Sequence, residues 1–261
     1  MPVAADCISP DVFTERSAKE IAELQIWEGN RKRTLGDLFK IKHKTDPTSK
    51  ELTIRICGDV FNVRRIGAKM SIGKIVIEGS VGMHLGEEMT GGTITVAGNA
   101  DSWTGSMMRK GTIEIKGNAG DYIGSSYRGS TQGMSGGEII IHGDAGNEVG
   151  CYMRNGLIRV HGNTGQFTGI HMRKGTILVK GDSEGRTGAQ MIKGKIVVCG
   201  RVPSILPTFA IESIKPKVKI DDEKVVGPFY MFVGDLADDG EGKLYLSQKE
   251  NPHLSFYEKF L

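Results

Sequence analysis

The amino-acid sequence predicts an all-β fold: a single-stranded, right-handed parallel β-helix of seven to eight 19-residue coils. A small α+β amino-terminal cap and a β-rich carboxy-terminal extension flank it. Three observations carry this expectation. First, the pattern G-x-x-M-x-x-G-x-I-x-[VI]-x-G recurs with Met70, Met89, Met108, Met134, Met153, Met172 and Met191 spaced 19, 19, 26, 19, 19 and 19 residues apart. Second, two glycine columns keep step with it, Gly67, Gly86, Gly105, Gly124, Gly150, Gly169, Gly188 and Gly79, Gly98, Gly117, Gly143, Gly162, Gly181, Gly200. Third, nothing within residues 51–200 carries a helical apolar stripe long enough for a leucine-rich-type repeat. A fixed short period with glycine punctuation marks a solenoid, whose units bury their cores against one another.

Composition agrees. The 261 residues suffice for a substantial core, and 25% charged with 38% hydrophobic residues is ordinary for a globular protein. The 37 glycines are about twice the usual share, while only 8 prolines argue against collagen or a disordered linker. A net charge of +3 is too small to point to nucleic acid or an anionic membrane. No apolar run approaches the ~18 residues of a membrane span. The opening MPVAADCISPDVF lacks a secretory pattern, so a cytoplasmic location is expected. Cys7, Cys57, Cys151 and Cys199 are scattered without a C-x-x-C and read as buried, reduced thiols.

Residues 1–50 are expected to cap the solenoid, because its open end must be covered. Ser17 and Glu20 form a capping box opening a helix that runs to about Leu24. Gln25-Ile26-Trp27, Glu28-Gly29-Asn30 and a polar strand make a hairpin, and Thr34 caps a second helix over Leu35–Phe39. Residues 51–200 form the β-helix, beginning with a degenerate coil at Thr53-Ile54-Arg55-Ile56. Each coil carries one alternating strand, such as Ile113-Glu114-Ile115, with outer positions inward and the middle position mostly in solvent. Residues 201–228, with Pro203, Pro207, Pro216 and Pro228, read as an extended strap within the 201–261 extension. Phe229–Val233 and Lys243–Leu246 pair as a terminal hairpin, and the apolar tail from Phe256 to Leu261 docks on this chain or a neighbour.

The columns assign roles. The methionines, seven identical flexible residues one coil apart, read as an internal packing ladder rather than a soft-metal site. Ser80, Asn99, Asn118, Asp144, Asn163 and Asp182 follow the closing glycines and read as a corner ladder, since Asn and Asp tolerate left-handed turns and bond their own backbone. Asp101 and Asp121 are the nearest approach to a clustered acid site, but the next coils present Asn147 and Gln166. His142 and His161 are expected to be outward-facing neighbours, flanked in the column by Lys116 and Lys180, with no third metal ligand. No catalytic, cofactor-binding or metal-binding residue is assigned. The candidate partner contacts are a basic stripe, Arg109, Arg154, Arg173 and Lys174, with Lys110 and Lys193 beside it. The seven-residue lengthening between Gly124 and Gly150 adds Tyr127 and Arg128, residue types that anchor interfaces. A loop folding over its own coil, and a stripe that only keeps the prism soluble, are the competing readings.

The run from Ala119 through Gly120-Asp121-Tyr122-Ile123-Gly124-Ser125-Ser126-Tyr127-Arg128 to Gly129, followed by Gly133-Met134-Ser135-Gly136-Gly137, resembles the C subunit of formylmethanofuran dehydrogenase. Pro10-Asp11-Val12-Phe13 and the module from Trp27 to Phe39 resemble it too, so the likeness spans roughly residues 9–235. The coil is also similar to the carboxy-terminal domain of the glutamate synthase large subunit. The resemblance implies a non-catalytic scaffold in a complex that reduces CO2 to formylmethanofuran in methanogenesis. Molybdopterin with molybdenum or tungsten, iron–sulfur clusters, a dinuclear metal site and methanofuran are then expected in partner subunits. Those partners are the molybdenum/tungsten subunit, an amidohydrolase-like subunit, the D subunit and ferredoxin-like subunits. The resemblance equally admits the C subunit of a methylotrophic formyltransferase/hydrolase complex. A free-standing polysaccharide-active β-helix lacks the clustered acids it needs, and end-to-end self-assembly is opposed by the non-repetitive caps.

Overall fold

The computed structural model describes residues 1–42 and 51–261. The amino-terminal part runs β1 (Val3–Ala4), α1 (Pro10–Phe13), α2 (Ala18–Ala22), β2 (Gln25–Glu28), β3 (Arg31–Thr34) and α3 (Leu35–Leu38). Then come β4 (Thr53–Ile56), β5 (Val63–Arg64), β6 (Lys74–Ile77), β7 (Thr90–Val96), β8 (Lys110–Ile115) and β9 (Ser135–Ile141). After β10 (Asn155–Val160), β11 (Thr176–Val179) and β12 (Lys195–Val198) the chain closes with β13 (Ala210–Ile220), β14 (Glu223–Gly234), β15 (Gly242–Ser247) and a 3₁₀ helix (Pro252–Phe260). The residue-50 boundary of the cap lies outside the described residues.

β4 and β6 through β12 stack as eight parallel strands, one per turn, which makes the molecule a parallel β-solenoid. The register keeps Ile75, Ile94, Ile113, Ile139, Ile158, Ile177 and Ile196 in one column, all fully buried. Ile and Val suit this role because branched side chains pack well on a pleated surface. All seven repeat methionines are also fully buried, as a packing ladder requires. Their methyl groups lie over a glycine of the following coil: Met89 Cε is 2.8 Å from where a Cβ on Gly111 would stand.

The corner ladder is real, but its mechanism differs from own-backbone turn bonding. Each side-chain oxygen accepts the backbone N–H of its equivalent in the next coil, from Ser80 through Asn99, Asn118, Asp144, Asn163 and Asp182 to Arg201, over 2.7–3.1 Å. These residues do not adopt left-handed conformations; other columns do. Asp121 belongs to a second such ladder, its Oδ1 accepting from Asn147 N at 2.7 Å, and Asp101 accepts from Ser102 N at 2.7 Å. Both carboxylates therefore serve the backbone.

The cap follows the expected order. Ser17 and Glu20 close a capping box at α2, β2 and β3 pair antiparallel, and Asp37 accepts the Thr34 amide at the start of α3. The cap is fastened to the first coil by β1 pairing parallel with β5, and by Asp11 accepting from Ser71 N at 2.9 Å.

The carboxy-terminal extension departs from expectation. Residues 201–228 are not a strap: β13 pairs antiparallel with β14 from Ala210↔Val233 to Ile220↔Glu223. Pro216 is tolerated because it sits at the register shift between Lys215 and Lys217, where no ladder donor is needed. β14 pairs with β15 as expected, and β15 joins β12 in parallel to finish the stack. The β13–β14 hairpin then folds over the outer face of the last coils. Leu157, Leu178, Val197 and Tyr245 point outward there and form a second core with Val218, Ile220, Val225, Phe229 and Met231. The middle strand positions of these coils are thus covered, against the expectation that they face solvent, because they are apolar and a second layer lies over them. At the hairpin tip, Glu223 accepts from Arg159 at 2.5 Å and Lys180 at 2.6 Å. The tail docks only in part. Leu254 is buried and Tyr257 meets Phe232 edge-on at 5.2 Å, while Phe256, Phe260 and Leu261 stay exposed.

The four cysteines are free, but not all are buried. Cys151 is buried and its thiol is pushed up to about 12 by desolvation, whereas Cys57 lies exposed beside Glu78. Because the thiolate is the reactive species, a thiol reagent at about pH 8 is expected to modify Cys57 first and Cys151 only after denaturation. Intact-mass labelling of the protein and of Cys57→Ser checks this. Rapid labelling at Cys151 in the folded protein would show that its coil opens.

Candidate interaction surface

The coils turn their corners through two columns of left-handed residues that are not glycine, six coils using both and the Tyr122 coil one. One column is Arg65, His84, Trp103, Tyr122, Glu148, Phe167 and Arg186, with φ between 55° and 66°. The other is Lys69, Glu88, Met107, Tyr152, His171 and Gln190, with φ between 55° and 60°. Left-handed backbone costs about 1–2 kcal/mol for a residue with a Cβ and persists only where its surroundings over-determine it. Here the inter-coil hydrogen bonds do so: Trp103 N donates to Asp121 O and Tyr152 N to Ile170 O. Successive corners repeat one conformation, so their rings stack near the coil spacing. Trp103 lies on Tyr122 at 4.6 Å, His84 on Trp103 at 5.5 Å and Tyr152 on His171 at 4.3 Å, all with nearly parallel rings. The Arg186 guanidinium sits over Phe167 at 5.0 Å.

The inserted loop lies on this ring face. Ser125 and Ser126 are buried, and Ser126 N and Gly133 N donate to Cys151 O and Tyr152 O, so the loop does fold across its own coils. It still presents Tyr127, 52% exposed, whose ring lies 6.0 Å from that of His84. Arg128, also exposed, shares a hydrogen bond with the Tyr122 phenol. Arg154 reaches the loop from the basic stripe, its Nε donating to Thr131 O at 3.3 Å. Arg109, Arg173 and Lys174 are exposed, and among the described residues none of them forms an ion pair. Arg154 and Arg173 are one coil apart, about 4.8 Å along the axis, a spacing at which like charges repel. Lys193 differs, facing Glu241 at 3.4 Å.

The structure thus brings Tyr127 and Arg128 onto the stacked rings and sets Arg109, Arg154 and Arg173 along their border. Lys174 turns toward a separate cleft under the hairpin. Sequence reasoning missed the ring column, although His84, Trp103 and Tyr122 repeat at the 19-residue period. It also missed Glu87, buried against Arg65 at 3.0 Å and facing His84 at 3.7 Å. Burial of His84 there pushes its pKa down.

His142 and His161 are outward neighbours, their rings edge-on at 4.9 Å. His142 Nε2 lies 2.8 Å from Glu114 Oε1, and the Lys116 ammonium bonds the same carboxylate. The hydrogen bond from Lys116, then that from His142, holds the Glu114 carboxyl below its ordinary range. Among the described residues, no group of three or more His, Cys, Asp or Glu is placed to hold a metal ion. No helix among them is long and apolar enough to cross a membrane.

No family model matches the chain. A segment of 81 residues is 44% identical to the C subunit of the molybdenum-containing formylmethanofuran dehydrogenase 1 of Methanosarcina barkeri, covering 31% of this chain and 27% of that protein. A segment of 86 residues is 42% identical to the C subunit of the tungsten-containing formylmethanofuran dehydrogenase 2 of Methanothermobacter wolfeii, covering 33% of this chain and 32% of that one. The chain therefore spans about a third or less of the length of these curated relatives. A crystal structure of the formyltransferase/hydrolase complex (FhcABCD) from Methylorubrum extorquens, with methylofuran, contains a chain of matching fold. That likeness has a TM-score of 0.84 and 31% identity over 94% of this chain and 95% of the other.

Proposed function

The chain belongs to the family of formylmethanofuran dehydrogenase C subunits and the matching chain of the formyltransferase/hydrolase complex, and on that premise we propose that it is a non-catalytic scaffold subunit of formylmethanofuran dehydrogenase. The observation that carries the reading is the corner face: stacked Trp103 and Tyr122, the projecting Tyr127 and Arg128, and a border of exposed arginines. Trp, Tyr and Arg are the residues that most often anchor protein interfaces, and a regular solenoid holds them rigidly enough to serve as a docking platform. Its acids support the same reading, since Asp101 and Asp121 serve the backbone and the Glu114 carboxylate is bonded by Lys116 and His142. The molybdenum or tungsten pterin, iron–sulfur clusters, dinuclear metal site and methanofuran belong, in this reading, to partner subunits in the cytoplasm.

A second reading, a subunit of a formyltransferase/hydrolase complex, is favoured by the structural match over nearly the whole chain. Gentle native purification, followed by mass and metal analysis of what travels with the protein, separates the two. A large assembly holding molybdenum or tungsten together with iron is the expected result. A large assembly lacking all three metals would favour the second reading. A lone 28.3 kDa species would overturn both. Tyr127→Ala combined with Arg128→Ala is expected to reduce partner recovery at least about tenfold, as loss of interface anchors does.

A further inference from the structure

We propose that the cleft beneath the β13–β14 hairpin binds an extended acidic peptide segment. The cleft has a volume of about 520 Å³ and lies where the hairpin tip, at Asp221, overhangs the starts of the strands from β9 to β12 and β15. Its walls carry Lys174, Lys195 and Lys243, and its floor includes the partly exposed Gly156 and Gly175.

The charges do not balance within the chain. Lys195 and Lys243 are direct partners in the parallel β12–β15 pair, so their side chains leave neighbouring strands about 4.8 Å apart, and like charges placed opposite one another repel. Among the described residues, none of the three lysines forms an ion pair; Lys195 instead donates to the Lys219 carbonyl at 2.7 Å. Glu138, on the cleft wall, is turned onto Arg159 at 2.8 Å. Asp221 alone opposes three cations, and an anionic occupant would relieve the repulsion. Desolvation already pushes the Lys195 ammonium toward its neutral form, which an incoming carboxylate would reverse.

Shape selects a chain over a compact ion. The lining crosses five strands, about 19 Å along the axis, which matches five to six extended residues. This inference does not depend on the identity of the larger complex.

The test is fluorescence anisotropy of a labelled hexaglutamate peptide with the full chain at low salt. Saturable one-to-one binding is expected, falling steeply with added salt and at least about tenfold in Lys243→Gln. Among the described residues that side chain makes no hydrogen bond or ion pair, so the variant's fold should be intact. Asp221→Asn should tighten binding several-fold, a gain that general loss of structure cannot mimic. Lys32→Gln, in the amino-terminal cap, should change nothing. The proposal fails if binding does not saturate, or if Lys32→Gln weakens it as much as Lys243→Gln. It also fails if inorganic phosphate displaces the peptide at equal concentration, which would make the cleft a simple anion site.

Discussion

Gly111→Ala is expected to destabilise the protein by about 2–6 kcal/mol, a large part of the ~5–15 kcal/mol that holds a typical domain folded. Gly111 has φ +98°, a conformation that residues with a Cβ strongly avoid. Its Cβ would also stand 2.7 Å from the backbone oxygen of Gly92 and 2.8 Å from Met89 Cε. The first contact is with backbone, which cannot step aside without breaking the inter-coil ladder. The second is with a buried methionine already filling its coil. Backbone strain and overpacking act together, each about 1–3 kcal/mol. Urea denaturation of Gly111→Ala beside Gly185→Ala measures the effect. A Cβ on Gly185 would meet nothing within 4 Å, and Gly185 does not require positive φ. Equal midpoints for the two variants would mean that the repeat tolerates side chains at its glycine columns.

Phe229→Ala is expected to cost about 3–5 kcal/mol, the range for emptying a buried aromatic site. Phe229 is 1% exposed and sits in the second core with Leu178, Val197, Met231 and Tyr245. Because this core lies outside the solenoid, the loss should be uneven. Hydrogen exchange is expected to rise most over β13 and the outer half of β14, and least in β6 to β8. Uniform loss across all coils would show that the hairpin and the solenoid unfold as one unit. No measurable loss would mean that the hairpin does not rely on this contact.

Legibility in the sequence followed locality. The methionine, glycine and isoleucine columns are readable because every coil solves the same packing problem with the same residues. The β2–β3 hairpin, the Ser17–Glu20 capping box and the Thr34 cap are readable because their partners lie within a few residues. The strap expectation fails because four prolines usually break strands, and only the pairing with β14 shows that Pro216 falls at a register shift. A signal is nonetheless present: the outward positions change from Thr95 and Glu114 to Leu178 and Val197, marking a face that needs covering. The candidate interaction surface is legible at Tyr127, Arg128 and the arginine stripe. Its aromatic column is not, because left-handed backbone at Trp103 and Tyr122 has no signature in residue type.

By itself, the sequence determined the period, the inward columns, the coil number and the place of the single insertion, since repetition makes each contact partner predictable from one spacing. Only the tertiary structure decided what covers the outer sheet, which way the loop leans and which cysteine meets solvent. Those outcomes depend on contacts between segments tens of residues apart that do not share the repeat, such as Glu223 with Arg159 and Phe229 with Leu178.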